Sequence, residues 1–93
     1  MAKPFHLDIV THQGIFYSKD IISLIVPSEA GYLGVLADHA PLAASLGTGK
    51  ITIRDILEKT TSFNTEAGGF IEVLKNRATI LVESLSEKDG NKG

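Results

Sequence analysis

Three stretches of this chain hold residue types that can do chemistry. Asp38-His39 sets a carboxylate beside an imidazole, the raw material of a general acid–base site. His6, Asp8 and His12 gather nitrogen and oxygen donors of the kind that bind metals. Gly47-Thr48-Gly49-Lys50 has the glycine–lysine ending of a phosphate-binding loop.

None of the three completes its chemistry. Side chains of adjacent residues in an extended segment point opposite ways, so Asp38 does not orient His39 as a base requires. No serine or cysteine nucleophile sits in an elbow motif. His6 and Asp8 share one strand face, but zinc normally takes three or four ligands, so His6 and His12 read as solvated surface groups. The phosphate-loop pattern needs glycine where this chain has Ala44 and Ser or Thr where it has Ile51. Gly47 to Lys50 therefore reads as a turn at a strand entry. No catalytic, cofactor-binding or metal-ligating residue is assigned, and no cofactor is expected.

Size and composition narrow the class. A chain of 93 residues is one domain at most, and at this length it buries roughly 60–65% of its unfolded surface. There is no cysteine, so neither a disulfide nor a thiolate metal site reinforces the core. Net charge is −2, and the basic residues are scattered among acidic ones, which argues against a nucleic-acid binder. No run of 18 apolar residues spans a membrane, and no apolar signal region follows Met1-Ala2-Lys3-Pro4, which argues against export.

The elements that position these residues read as strands. Phe5 to Val10 alternates, with Phe5, Leu7 and Ile9 on the inner face. Thr11 to Gly14 is a turn, Ile15-Phe16-Tyr17 a short strand, and Ser18-Lys19-Asp20 a further turn. Ile21 to Val26 is a strand with Ile22, Leu24 and Val26 inward. Its outer face, Ile21, Ser23 and Ile25, is too apolar for water and calls for a covering layer or a partner. Pro27 ends that strand. Gly31 to Leu42 reads as a stiff, extended, turn-rich loop that presents Asp38 and His39.

Leu42 to Leu46 is ambiguous between strand and helical turn. Lys50 to Arg54 alternates with Ile51 and Ile53 inward, Asp55 to Lys59 is a hairpin turn, and Thr60 to Thr65 returns. Gly68-Gly69 marks a bulge or tight approach. Phe70 to Leu74 and Arg77 to Glu83 are the closing strands, joined by a turn at Lys75-Asn76. Residues 1–83 form the domain, and 84–93 a polar tail expected to be disordered. Short strands with regular turn signals and no amphipathic helix predict an all-β sandwich or barrel.

Four motifs then occur in order: His6-Leu7-Asp8-Ile9-Val10-Thr11; Gly31-Tyr32-Leu33-Gly34-Val35-Leu36 with His39-Ala40-Pro41-Leu42; Gly68-Gly69-Phe70-Ile71-Glu72-Val73; and Asn76 to Glu83. Together they closely resemble the N-terminal domain of the epsilon subunit of bacterial F-type ATP synthase, over residues 5–83. The resemblance implies a ten-stranded β-sandwich. It implies a non-catalytic central-stalk (rotor) subunit that links the gamma subunit to the c-ring and helps couple proton- or sodium-driven rotation to ATP synthesis. It also implies a peripheral protein on the cytoplasmic face of the bacterial inner membrane, with no insertion into the bilayer. On this basis Tyr32, Asp38, His39, Ala40, Pro41 and Leu42 are expected to contact gamma or the c-ring, and the Ile21 and Ile25 face to suit gamma.

Three departures stand out. Tyr32 occupies a position that is commonly glutamate in the family, so it must act by hydrogen bond and packing. Asp38 replaces a common glycine, and is expected to return a carboxylate to that surface. The family's C-terminal helical hairpin is absent from these 93 residues, which implies a naturally short or truncated form with no ATP binding and no hairpin-based inhibition. The alternative reading is a free-standing sandwich that binds sugar or peptide in an aromatic-lined hollow. A third, a small hydrolase, lacks a nucleophile or metal site in the sequence.

Overall fold

A computed structural model of the chain describes residues 2–66, 68–83 and 85–87. Strands are β1 (Phe5–Thr11), β2 (Gly14–Ser28), β3 (Gly31–Val35), β4 (Leu42–Ser45), β5 (Gly49–Asp55), β6 (Thr60–Thr65), β7 (Phe70–Leu74), β8 (Arg77–Leu81) and β9 (Leu85–Glu87). No helix occurs among the described residues.

The long strand β2 serves two layers. Its first half pairs antiparallel with β1, which pairs parallel with β8, and β7 and β4 follow. Its second half pairs with β3 along the edge that β1 has left and with β5 along the other, and β6 and β9 follow. Among the described residues the nine strands thus fall into two layers of five segments each, with β2 contributing one half to either layer. The expected β-sandwich is the observed fold.

The inner faces meet in one core. Phe5, Leu7 and Ile9 from β1 pack with Ile51 and Ile53 from β5, Phe63 from β6, Ile71 and Val73 from β7, and Ala78 and Ile80 from β8. These are the alternate positions that a period of two puts on one face. Fully burying each large aliphatic contributes about 1.5–3 kcal/mol.

Several elements differ from the sequence reading. Ser18-Lys19-Asp20 is not a turn but part of β2, in register with Asp8, Leu7 and His6. Cross-strand bonds to β1 hold these turn-forming residues extended. Gly31 to Val35 is a strand rather than loop, folded back on β2 through Glu29-Ala30.

Ile21 is the largest correction. Expected on a partner-facing surface, it is wholly buried, and Ile22, expected in the core, is half-buried. The β2–β5 pairing is irregular between Ile21 and Ser23. That irregularity shifts the alternation by one residue, so Ile21 and Leu24 both point inward. Pro27 lies within β2, past the last β5 pair at Ile25, where no donor is needed on that side. Its carbonyl accepts the Gly47 N–H at 2.8 Å.

Leu85–Glu87, assigned to the tail from sequence, pair with β6 as β9. Residues 88–93 lie outside the described part. The tight approach expected at Gly68-Gly69 is found at Gly69, where a Cβ would stand 2.7 Å from Val82 Cγ1 and 2.8 Å from the Leu81 carbonyl oxygen.

Candidate functional site

Residues 36–41 cross from β3 in one layer to β4 in the other. A crossing this short has no ladder of its own, so side chains must fix it. Asp38 does so. It takes φ +64°, and its N–H donates to Asn76 Oδ1 at 2.6 Å. Asn76 Nδ2 donates back to Asp38 Oδ1 at 3.0 Å, and Lys3 Nζ donates to both carboxylate oxygens at 3.0 and 3.2 Å. The Asn76 amide first, then Lys3, hold the Asp38 carboxyl below its usual range. The left-handed backbone at Asp38 gives a physical reason for the glycine that the family resemblance expects there.

Asn76 is itself left-handed, at φ +61°, after Lys75 at +53°. Two such residues between β7 and β8 make the tight hairpin turn whose twist suits its strands. The crossing loop is therefore moored to a rigid turn of the other layer.

Beyond Asp38 the chain stays constrained. His39 Nδ1–H donates to the Ala40 carbonyl at 2.8 Å, which leaves Nε2 as the outward nitrogen. Ala40 and Pro41 are exposed, and Leu42 begins β4 packed against the core. The side chains of Asp38 and His39 take separate partners, as their adjacency requires.

Tyr32 and Ile25 belong to a different surface, on the layer of β3, β2 and β5. Tyr32 is 64% exposed, yet its hydroxyl accepts the Lys50 N–H at 3.2 Å and lies 2.7 Å from where a Cβ on Gly49 would be. Gly49 thus makes room for the ring. Ile25 is 43% exposed because its register partner on β3 is Gly34, which offers no side chain to cover it. Tyr32 and Ile25 share one face, while Asp38 to Leu42 bridge the layers. Ile21 joins neither.

On the outer face of the first layer, sequence reading missed a polar lattice. His6 Nδ1 lies 2.9 Å from Asp20 Oδ1, and Nε2 lies 3.0 Å from Asp8 Oδ1. Ser18 Oγ donates to Asp8 Oδ1 at 2.6 Å, and Arg77 to Asp8 Oδ2 at 2.9 Å. His6 is thus a bonded cross-strand group rather than a solvated one. Asp20 raises its pKa most, Asp8 adds to this, and desolvation opposes both. The period-two pattern gives the face that His6 and Asp8 share. Only the register gives Ser18, Asp20 and Arg77. His12 Nδ1–H donates to the Glu83 carbonyl at 3.1 Å.

Among the described residues, no group of three or more His, Asp or Glu side chains is placed to hold a metal ion, and no helix is long and apolar enough to cross a membrane. An open groove of about 400 Å³ is lined by Lys19, Asp20, Asp55, Ile56 and Leu57. Its lining is aliphatic and charged, without the aromatic rings that a sugar site uses.

These features define a small β-sandwich domain with a moored crossing loop and an exposed aromatic–aliphatic face. The family described as the ATP synthase, Delta/Epsilon chain, beta-sandwich domain matches residues 4–88, and the chain belongs to it. Over 84 residues it is 42% identical to the ATP synthase epsilon chain of Chlorobium limicola and 43% identical to that of Chlorobaculum tepidum. Each alignment covers 90% of this chain and 94% of the relative. The epsilon chain of Leptospira borgpetersenii is 39% identical, with 88% of this chain and 63% of the relative covered. The fold is also that of a chain in the Euglena gracilis mitochondrial ATP synthase OSCP/F1/c-ring structure, at TM-score 0.84 and 17% identity, over 90% of this chain and 53% of that one. A chain in the Tetrahymena thermophila mitochondrial ATP synthase central stalk/c-ring structure gives TM-score 0.73 and 16% identity, over 90% and 66%.

Proposed function

We propose that this chain is a non-catalytic central-stalk subunit of a bacterial F-type ATP synthase, which joins gamma to the c-ring and helps couple ion-driven rotation to ATP synthesis. The observation that carries the reading is the likeness to epsilon chains over nearly the whole length of this chain and of two relatives. It works as a peripheral protein on the cytoplasmic face of the membrane.

The geometry supports a division of labour. Torque passes only through a surface that does not yield. The crossing loop, tied by Asp38, Asn76 and Lys3, presents His39, Ala40 and Pro41 on a fixed backbone. Leu42, anchored in β4, sets where that loop ends. Tyr32 and Ile25 offer a second surface, where an aromatic ring and an uncovered aliphatic supply packing. Asp38 serves by holding the loop, since its carboxylate is already engaged. This moves its expected role from a partner contact to a positioning one.

Native mass spectrometry of the chain mixed with gamma from the same organism tests the reading. A one-to-one complex weakened by Ile25→Asp or His39→Ala supports it. A persistent free monomer beside folded gamma overturns it.

A further inference from the structure

The polar lattice around His6 has an asymmetry that its two carboxylates do not share. Asp8 has two donors besides the imidazole: Ser18 Oγ at 2.6 Å and Arg77 at 2.9 Å. Asp20 has His6, at 2.9 Å, as its bonding partner among the described residues. Asp8 is sheltered, at 19% side-chain exposure, whereas Asp20 is 61% exposed. An imidazolium donates from both nitrogens, whereas a neutral ring donates from one and turns a lone pair outward from the other.

We propose that His6 is a proton-operated clamp between β1 and β2: the imidazolium holds Asp20 against β1, and loss of its proton releases Asp20 into water.

The choice of Asp20 follows from solvation. When the ring is neutral, one carboxylate faces a lone pair. Asp20 reaches water by a rotation about its own side chain. Asp8 would be left facing the lone pair in a half-buried site. The neutral ring therefore keeps Nε2–H on Asp8 and gives up the Nδ1 contact.

The surrounding charges are few. Asp8 from β1, Asp20 from β2 and Arg77 from β8 bear on the ring, with the Ser18 hydroxyl 3.1 Å from Nε2. Arg77 opposes protonation, and the two carboxylates favour it. On β7, Glu72 stands one strand further away, across Thr79. The turn before β8 holds Lys75 and Asn76, and the Asn76 carbonyl accepts the main-chain N–H of His6 at 3.0 Å rather than a ring nitrogen. Lys19 packs its ammonium 5.7 Å over the Tyr17 ring instead.

The release has a consequence for the surface. Asp20 also lines the groove with Lys19, Asp55, Ile56 and Leu57. Freed from His6, its carboxylate turns to water at the rim of that groove, whose hairpin tip carries Leu57, 83% exposed. The charge at the rim of that groove is thereby tied to the protonation of a residue on the next strand.

Carbon and nitrogen NMR of the full chain, followed from pH 5 to pH 9, tests the clamp. The expected result is that the chemical shift of the Asp20 carboxyl carbon follows the protonation of the His6 ring, with the midpoint read at the ring nitrogens, while the Asp8 carboxyl carbon moves little. In Asp20→Asn the His6 midpoint shifts down. In His6→Gln the Asp20 carbon no longer responds over this range. A still Asp20 carbon with a moving Asp8 carbon overturns the proposal, because the Ser18 hydroxyl has then turned to His6 Nε2. An Asp20 carbon shift that does not follow the His6 ring nitrogens overturns it as well.

Discussion

Asp38 and Asn76 hold each other from two left-handed positions, with φ +64° and +61°. The Asp38 N–H donates to the Asn76 side-chain oxygen, and the Asn76 amide donates to the Asp38 carboxylate. One residue lies in the crossing loop and the other in the β7–β8 turn, 38 positions along the chain. The pair joins the two layers of the sandwich at the loop that carries His39, Ala40 and Pro41.

Asn76→Ala should loosen that loop and strain the turn at once. The expected loss is about 1–2 kcal/mol, from two hydrogen bonds and a left-handed alanine. Asn76→Gly keeps the turn and loses only the bonds, so it should cost less. Urea unfolding gives the order of the two variants. Amide exchange at Asp38 should quicken in both.

Gly69→Ala inserts a Cβ 2.7 Å from Val82 Cγ1 and 2.8 Å from the Leu81 carbonyl oxygen. The backbone there cannot give way as a flexible side chain would. A loss of about 1–3 kcal/mol follows from overpacking, read as a lower urea midpoint with an unchanged slope.

Ile21 and Ile25 should separate stability from binding. Ile21 is wholly buried, and Ile21→Ala should cost about 2–5 kcal/mol. Ile25 is 43% exposed, and Ile25→Ala should cost well under that, about 1 kcal/mol or less. If gamma binds the face of Ile25 and Tyr32, Ile25→Asp should weaken the complex while leaving the urea midpoint close to that of the parent chain. Equal stability losses for Ile21→Ala and Ile25→Ala would contradict the shifted alternation of β2.

Stability should fall on both sides of neutrality, for two different groups. His6 has its pKa raised above 6.5, chiefly by Asp20. Its contribution is complete below 6.5, the value of the unfolded chain, and is lost as pH rises through the raised value. Asp8 has its pKa lowered below 3.8, chiefly by the Ser18 hydroxyl and then by His6. Its contribution is complete above 3.8 and is lost as pH falls through the lowered value. Thermal unfolding across pH 3–9 should show both limbs. His6→Gln should flatten the alkaline one, and Asp8→Asn the acid one.

By itself the sequence determined the class of fold and most of its strands. Alternation at Phe5, Leu7 and Ile9, and again at Ile51 and Ile53, names residues that are buried, because a strand exposes alternate side chains to one environment. The turn at Lys75-Asn76 and the close approach at Gly69 were also legible, since each follows from local steric chemistry. The four motifs in order carried the family.

Tertiary structure decided what alternation and turn chemistry do not encode. The irregular pairing at Ile21 turned that residue into the core in place of Ile22, while Leu24 and Val26 kept their expected inward side, and no pattern within β2 announces where its partner slips. The Ser18 to Asp20 segment reads locally as a turn, yet β1 holds it extended. Parallel pairing of β1 with β8 brought Arg77 to Asp8, 69 positions apart, to complete the lattice around His6. Asp38 found its amide and its cation, Asn76 and Lys3, on elements distant in sequence. Local chemistry sets what each residue is able to do, but pairing register and the meeting of layers set which residues do it together.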